Sequence, residues 1–156
     1  MKFAIVSDTH NNWANFKKAI DWIMNEKIEL ILHCGDISSQ EIIDEATKYF
    51  NGDIKFVKGN ADFNLDLPEK IDLELENKKI SFCHFPEIAK KLAQSGKYDL
   101  VFYGHTHKAW EEKINGCRMI NPGELAGQFF KPTFAVYDTG PEGYPDKLEL
   151  KILEKI

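Results

Sequence analysis

The sequence predicts an α/β protein in which two mixed β-sheets are flanked by helices. Three observations carry this. Up to Val57, short apolar runs alternate with segments of helical spacing. Beyond Pro68 the texture changes to period-two alternation, and four of the five histidines fall directly after predicted strands.

Taken in order, Phe3 to Val6 is an apolar run ending in Ser7-Asp8, the pattern of a buried strand whose carboxyl end opens into a loop. Trp13, Phe16, Ile20 and Ile23 then step by three and four residues, with Asn11 or Asn12 available as the N-cap. Leu30 to Leu32 is a second strand, and Ser38 with Glu41 reads as a capping box ahead of Ile42, Ile43, Ala46 and Tyr49. Ile54 to Val57 completes a strand, helix, strand, helix, strand series, which calls for right-handed crossovers and a largely parallel sheet. Ile71, Leu73 and Leu75 face Ile80 and Phe82 across Asn77-Lys78, an antiparallel hairpin. Pro86 opens a short helix through Leu92 that Gly96 closes, and Leu100 to Tyr103 is again a buried strand. Asn115-Gly116 is a type I′ hairpin signal, and Thr133 to Tyr137 and the alternating Leu148, Leu150 and Ile152 add further strands. No repeat, low-complexity tract or linker interrupts the chain, so one domain over residues 1–156 is expected.

Composition bounds the function. Twenty Lys and Arg against 25 Asp and Glu give a net charge of −5. With no basic cluster, stable nucleic-acid binding is not expected. No apolar run reaches the roughly 18 residues of a spanning helix, so no membrane association is expected. Cys34, Cys83 and Cys117 form no CxxC pair, which fits reduced thiols and a cytoplasmic location. Arg118 is the single arginine and hence the one candidate for bidentate phosphate recognition. A homo-oligomer stays open.

The chemistry resides in an ordered set: Asp8-Thr9-His10, Gly35-Asp36, Gly59-Asn60, His84, and Gly104-His105-Thr106-His107. Each member follows a predicted strand, and in open α/β sheets the ligand crevice lies beyond the carboxyl ends of the strands. Two carboxylates, an amide and four imidazoles exceed what one ion can use, which suggests two. In extended chain, residues at i and i+2 share a face, so the Asp8/His10 and His105/His107 pairs can each be presented by one loop. Oxygen and imidazole donors without thiolate suit a divalent transition metal, Mn²⁺ first, with Ni²⁺, Fe or Zn²⁺ as the other candidates. His33 lies inside a strand and matches no ligand position, so it reads as a buried, hydrogen-bonded histidine. Cys34 and Cys83 flank candidate ligands but read as core.

The order DxH, GD, GN, H, GHTH from Asp8 to His107 resembles the calcineurin-like metallophosphoesterase superfamily, and the His33-Cys34-Gly35-Asp36 and Asn121-Pro122-Gly123 segments resemble its short bacterial and archaeal phosphodiesterase branch. The resemblance implies the αββα sandwich of the metallophosphoesterase type. It also implies one metal on Asp8, His10, Asp36 and His107, and a second on Asp36, Asn60, His84 and His105, with Asp36 as the bridge. A hydroxide between the two ions would attack phosphorus in line, which requires no protein nucleophile. The expected substrate is a small phosphodiester.

Three positions depart from the family pattern. Ala61 follows Asn60 where many members carry a histidine that protonates the leaving oxygen, so diesters with good leaving groups are favoured. Asp62 is expected to support Asn60 or its loop without touching the metal. Asn11 stands where glycine is common and Glu124 where serine is common, which puts the substrate pocket in question. Leu125 to Pro132, Gly-containing and aromatic, reads equally as a flap or an interface patch. Two other functions stay open: a non-catalytic metal-binding scaffold, and a nuclease for short oligonucleotides.

Overall fold

The computed structural model describes all 156 residues. The first half of the chain forms β1 (Lys2–Val6), α1 (Trp13–Asn25), β2 (Leu30–His33), α2 (Gln40–Tyr49) and β3 (Asp53–Phe56). It continues through β4 (Lys70–Leu75), β5 (Lys78–Cys83), α3 (Pro86–Gln94), β6 (Leu100–Phe102), β7 (Trp110–Ile114), β8 (Cys117–Asn121), β9 (Thr133–Asp138) and β10 (Lys147–Ile152). Two five-stranded sheets result, in the orders β10-β9-β1-β2-β3 and β4-β5-β6-β8-β7. The centres are parallel (β1 with β2 and β2 with β3; β5 with β6 and β6 with β8), and the remaining pairings are antiparallel. This is the expected sandwich.

Period-two alternation in β1 sorts its side chains into two cores. Ala4 and Val6 pack with Phe16, Ile20 and Ile23 under the first two helices, while Phe3 and Ile5 join Phe82, Phe102 and Tyr137 between the sheets. Ala89 and Ala93 of α3 cover the outer face of the second sheet with Val101 and Met119. No helix is long and apolar enough to cross a membrane.

Local signals placed most elements to within a residue or two. Asn12 caps α1, its side chain accepting from the Asn15 N–H at 3.1 Å. The cap of α2 is Ser39, which accepts from the Ile42 N–H; the expected Ser38 instead sits at φ 83° and gives its own N–H to Asp62. The β4–β5 turn is Glu76-Asn77 rather than Asn77-Lys78. Both residues have positive φ, as a type I′ turn demands, and Lys78 already pairs with Leu75 in the ladder. Asn115-Gly116 turns as expected, at φ 49° and 82°. The third helix runs to Gln94, two residues past Leu92, with Gly96 in the left-handed region just beyond its end.

Phe102 lies edge-on to Phe3, with ring centroids 5.9 Å apart, and 6.2 Å from Tyr137 at the middle of the inter-sheet core. Truncation there removes contacts that neither sheet can replace by shifting. Phe102→Ala is expected to cost about 3–5 kcal/mol in urea denaturation.

His33 is fully buried at the end of β2. The Gly35 N–H donates to its Nδ1 at 3.1 Å, so the ring proton sits on Nε2 and is donated to Thr9 Oγ1 at 2.8 Å. Burial pushes its pKa down to about 3. The unfolded chain therefore takes up a proton that the fold excludes, and stability from this group is present above about pH 6.5 and is lost as pH falls toward about 3. Wild type should lose about 1.4 kcal/mol per pH unit relative to His33→Asn within that window. Equal slopes in urea unfolding across the same pH range would contradict the assignment.

Candidate metal centre

All seven predicted residues lie in segments leaving the carboxyl ends of the parallel strands. Asp8 and His10 follow β1, Asp36 follows β2 and Asn60 follows β3; His84 follows β5, and His105 and His107 follow β6. The two sheets face each other, so five loops deliver these groups to one crevice.

The groups fall into two adjoining clusters. In the first, donor atoms of Asp8, His10, Asp36 and His107 all lie within 4.8 Å of one another. His10 Nε2 is 3.2 Å from His107 Nε2 and 3.4 Å from Asp36 Oδ2. In the second, Asn60 Oδ1 is 3.0 Å from both His84 Nε2 and His105 Nδ1, which are 3.3 Å from each other. Asp36 Oδ2 is also 3.4 Å from His84 Nε2, so this one oxygen stands between the clusters.

The route to this convergence differs from the extended-chain expectation. Asp8, His10, Asp36, His105 and His107 all have φ between 44° and 70°. Side chains disfavour this region by roughly 1–2 kcal/mol per residue, and its concentration here marks a site that the surrounding fold holds against local preference. The turn carries His107 to the first cluster and His105 to the second. Two glycines make the approach possible. A Cβ on Gly104 would lie 2.0 Å from Ser7 Oγ and 2.7 Å from Asp8 Oδ2, and one on Gly59 would lie 2.1 Å from Asp36 Oδ1.

Main-chain N–H groups and one hydroxyl organise the carboxylates. Asp8 Oδ2 accepts from Ser7 Oγ at 2.7 Å and from the His105 N–H at 3.1 Å, and Asp36 Oδ1 accepts from the Ala61 N–H at 2.8 Å. Ala61 thus supports the bridging carboxylate through its main chain although its side chain has no acid. Asp62 is fully buried beside the Asp36 and Gly59 main chain. Its Oδ2 accepts from the Asp36 and Gly59 N–H groups, each at 2.8 Å, and its Oδ1 from the Ser38 N–H at 2.7 Å.

The imidazoles are oriented from the rear. His84 Nδ1 donates to the Cys34 carbonyl at 2.7 Å, which leaves Nε2 facing the cluster. His107 Nδ1 donates to Glu124 Oε2, leaving its Nε2 3.2 Å from Asp8 Oδ1. Glu124 is fully buried, so the substitution expected to alter the substrate pocket instead contacts a site histidine from behind. Only its place three residues after Asn121 could have flagged it, and nothing in the local pattern says which way it points. Asn11 Oδ1 accepts from Ser39 Oγ at 2.6 Å. Arg118 is held between Glu111 and the Tyr137 hydroxyl and does not reach the site. Cys34, Cys83 and Cys117 are buried, and burial pushes all three thiols up, Cys83 to about 12.

The electrostatics fit a cation. Burial raises the Asp8 carboxyl, but the imidazoles of His10 and His107, with His84 and Ser7, overcome this and hold it well below the usual carboxylate range. Asp36 is likewise lowered, burial being outweighed by His84 and the Ala61 N–H. Asp8 raises His107 to about 9, with Glu124 adding to the effect, and Asp36 raises His84 against the opposing effect of burial. Asp8 Oδ1 is buried with no hydrogen-bond partner. A buried, ionised oxygen without a donor is costly, and a divalent ion accepting this oxygen and the neighbouring imidazoles removes the cost.

Residues 1–142 match the family model for the calcineurin-like phosphoesterase superfamily domain. The chain is 34% identical, over an alignment of 161 positions, to a phosphodiesterase of Methanocaldococcus jannaschii, covering 92% of this chain and 96% of that protein. A solved structure of an archaeal phosphodiesterase superposes with a TM-score of 0.81 at 30% identity, covering 97% of this chain and all of the other. Vps29 of Chaetomium thermophilum shares the fold, with a TM-score of 0.75 at 17% identity over 96% of this chain and 95% of that one. Since both the matched span and the residues gathered in the crevice run through the length of the sandwich, the chain belongs to the calcineurin-like phosphoesterase superfamily.

Proposed function

We propose that this protein is a phosphodiesterase with a dinuclear metal centre. The observation that carries the reading is the position of Asp36 Oδ2, equidistant at 3.4 Å from His10 Nε2 and His84 Nε2, one from each donor cluster. Asp8, His10, Asp36 and His107 would hold one ion; Asp36, Asn60, His84 and His105 would hold the other. The donors are nitrogen and oxygen only, which suits Mn²⁺ first, then Ni²⁺, Fe or Zn²⁺. The relatedness to phosphodiesterases supports the activity.

Bound there, the ions would supply a nucleophile from water at neutral pH and neutralise charge on the phosphate. The chain's own contribution is positional. The Asp62 carboxylate and the Ala61 N–H fix Asp36, and the Ser7 hydroxyl and the His105 N–H fix Asp8. In the first cluster Asp8, Asp36 and His107 are buried and His10 is half-buried, whereas Asn60 and His105 are exposed, so substrate would approach from the second. Ala61 offers no proton to a departing alkoxide, and loss of general acid catalysis typically costs about 10²–10⁴-fold. Aryl diesters, whose leaving groups need no proton, are therefore the expected substrates.

Purified protein loaded with Mn²⁺ should hydrolyse bis-p-nitrophenyl phosphate. Asp36→Ala and His84→Ala should lower kcat by at least about 10²-fold with the fold intact by circular dichroism. Removing metal with a chelator should abolish turnover and its return should restore it. Folded, metal-loaded protein that cleaves no phosphodiester would instead favour the scaffold reading.

A further inference from the structure

Glu124 is a buried carboxylate that the phosphodiesterase reading does not use. It sits at the start of the segment running from Gly123 to Pro132, between the site and an exposed aromatic turn. Its two oxygens have separate tasks. Oε2 accepts the Nδ1 proton of His107; Oε1 accepts from the backbone N–H groups of Phe129 at 2.6 Å and Phe130 at 2.7 Å. The Phe129 ring packs edge-on against the His107 ring at 5.1 Å although 74% of the residue is exposed. Leu125, the next residue, anchors the same end of the segment, fully buried, with its N–H on the Ser7 carbonyl, and the Thr133 N–H just past the far end returns to the Glu124 carbonyl.

We infer that Glu124 is a positioning residue which couples the His107 metal donor to the seating of the Phe129-Phe130 turn beside the centre. This rests on the metal-centre reading. The reasoning is one of proton placement. Two backbone N–H groups can only donate, so Oε1 must be an acceptor. Oε2 is the acceptor left for His107, so Nδ1–H is donated to it and Nε2 is the ring nitrogen that faces the site and can bind a cation there. A primary amide of the same shape cannot do both. If its oxygen faces the Phe129 and Phe130 N–H groups, its NH₂ faces Nδ1, the ring proton moves to Nε2 and the donor is blocked. If its oxygen faces Nδ1, its NH₂ meets two N–H donors and the turn is released. Glu124→Gln therefore forfeits either the ligand or the turn.

The test uses the full chain and needs no turnover. Mn²⁺ affinity is measured by calorimetry, and exchange of the Phe129 and Phe130 amides by NMR, in wild type and Glu124→Gln. The expected result is metal affinity weakened about 10–100-fold, or loss of protection at both amides with affinity retained. Wild-type behaviour in both measurements overturns the inference. If Glu124→Gln does not fold, the Zn²⁺-loaded wild-type protein decides the matter: ¹⁵N spectra of His107 should show a proton on Nδ1 and none on Nε2, and the reverse overturns it. Protein that passes these tests yet hydrolyses no phosphodiester would sink the activity reading alone.

Discussion

The structure depends on keeping Asp8 and Asp36 ionised and nearly free of solvent at the seam between two sheets, with 0% and 2% of each exposed. Two like charges in a weakly polar crevice repel and lose hydration, and the interior offers little to offset either. Almost every local peculiarity of the chain answers that problem. Left-handed backbone turns bring donors inward, glycines let neighbouring strands close on the carboxylates, and imidazoles are packed where their partial or full positive charge is most useful. The remaining deficit, an unpartnered Asp8 oxygen, is the feature a bound cation would remove.

Behind the carboxylates lies a second layer whose members work by fixing proton positions. The Cys34 carbonyl does this for His84 and Glu124 does it for His107, while Asp62 gathers the N–H groups of Asp36, Ser38 and Gly59. His33 shows the same logic in a structural setting, locked as a neutral ring between Gly35 and Thr9 one layer beneath the site. The sheets thus act as a rigid frame and the loops as a set of mutually oriented dipoles, which suits chemistry that relies on preorganised charge.

Much of this was legible in the chain. The convergence of the seven residues on one crevice, the burial of His33 and the two-sheet architecture all follow from residues that sit at strand ends in a fixed order. The errors are of one kind. Ser38 with Glu41 has the spacing of a capping box, yet Ser38 sits at φ 83° with its N–H donated to Asp62, and Ser39 takes the cap. The Glu76-Asn77 turn was misplaced by one residue because cross-strand register, set by Leu73 opposite Ile80, decides where a hairpin closes. The extended-chain account of the DxH and HTH pairs fails because those residues adopt left-handed backbone, to which Asp and His are only weakly biased by their own sequence.

By itself the sequence determined which groups meet, since alternating apolar strands must bury their faces and thereby bring the loops at their carboxyl ends to one rim. It did not determine how those groups are oriented. That Glu124 turns inward to His107 instead of outward to a substrate, and that Ser38 gives its N–H to Asp62 in place of capping α2, depend on contacts between residues far apart in the chain. Hydrogen-bond direction and side-chain burial are properties of the closed sandwich, so they exist only once both sheets are in place.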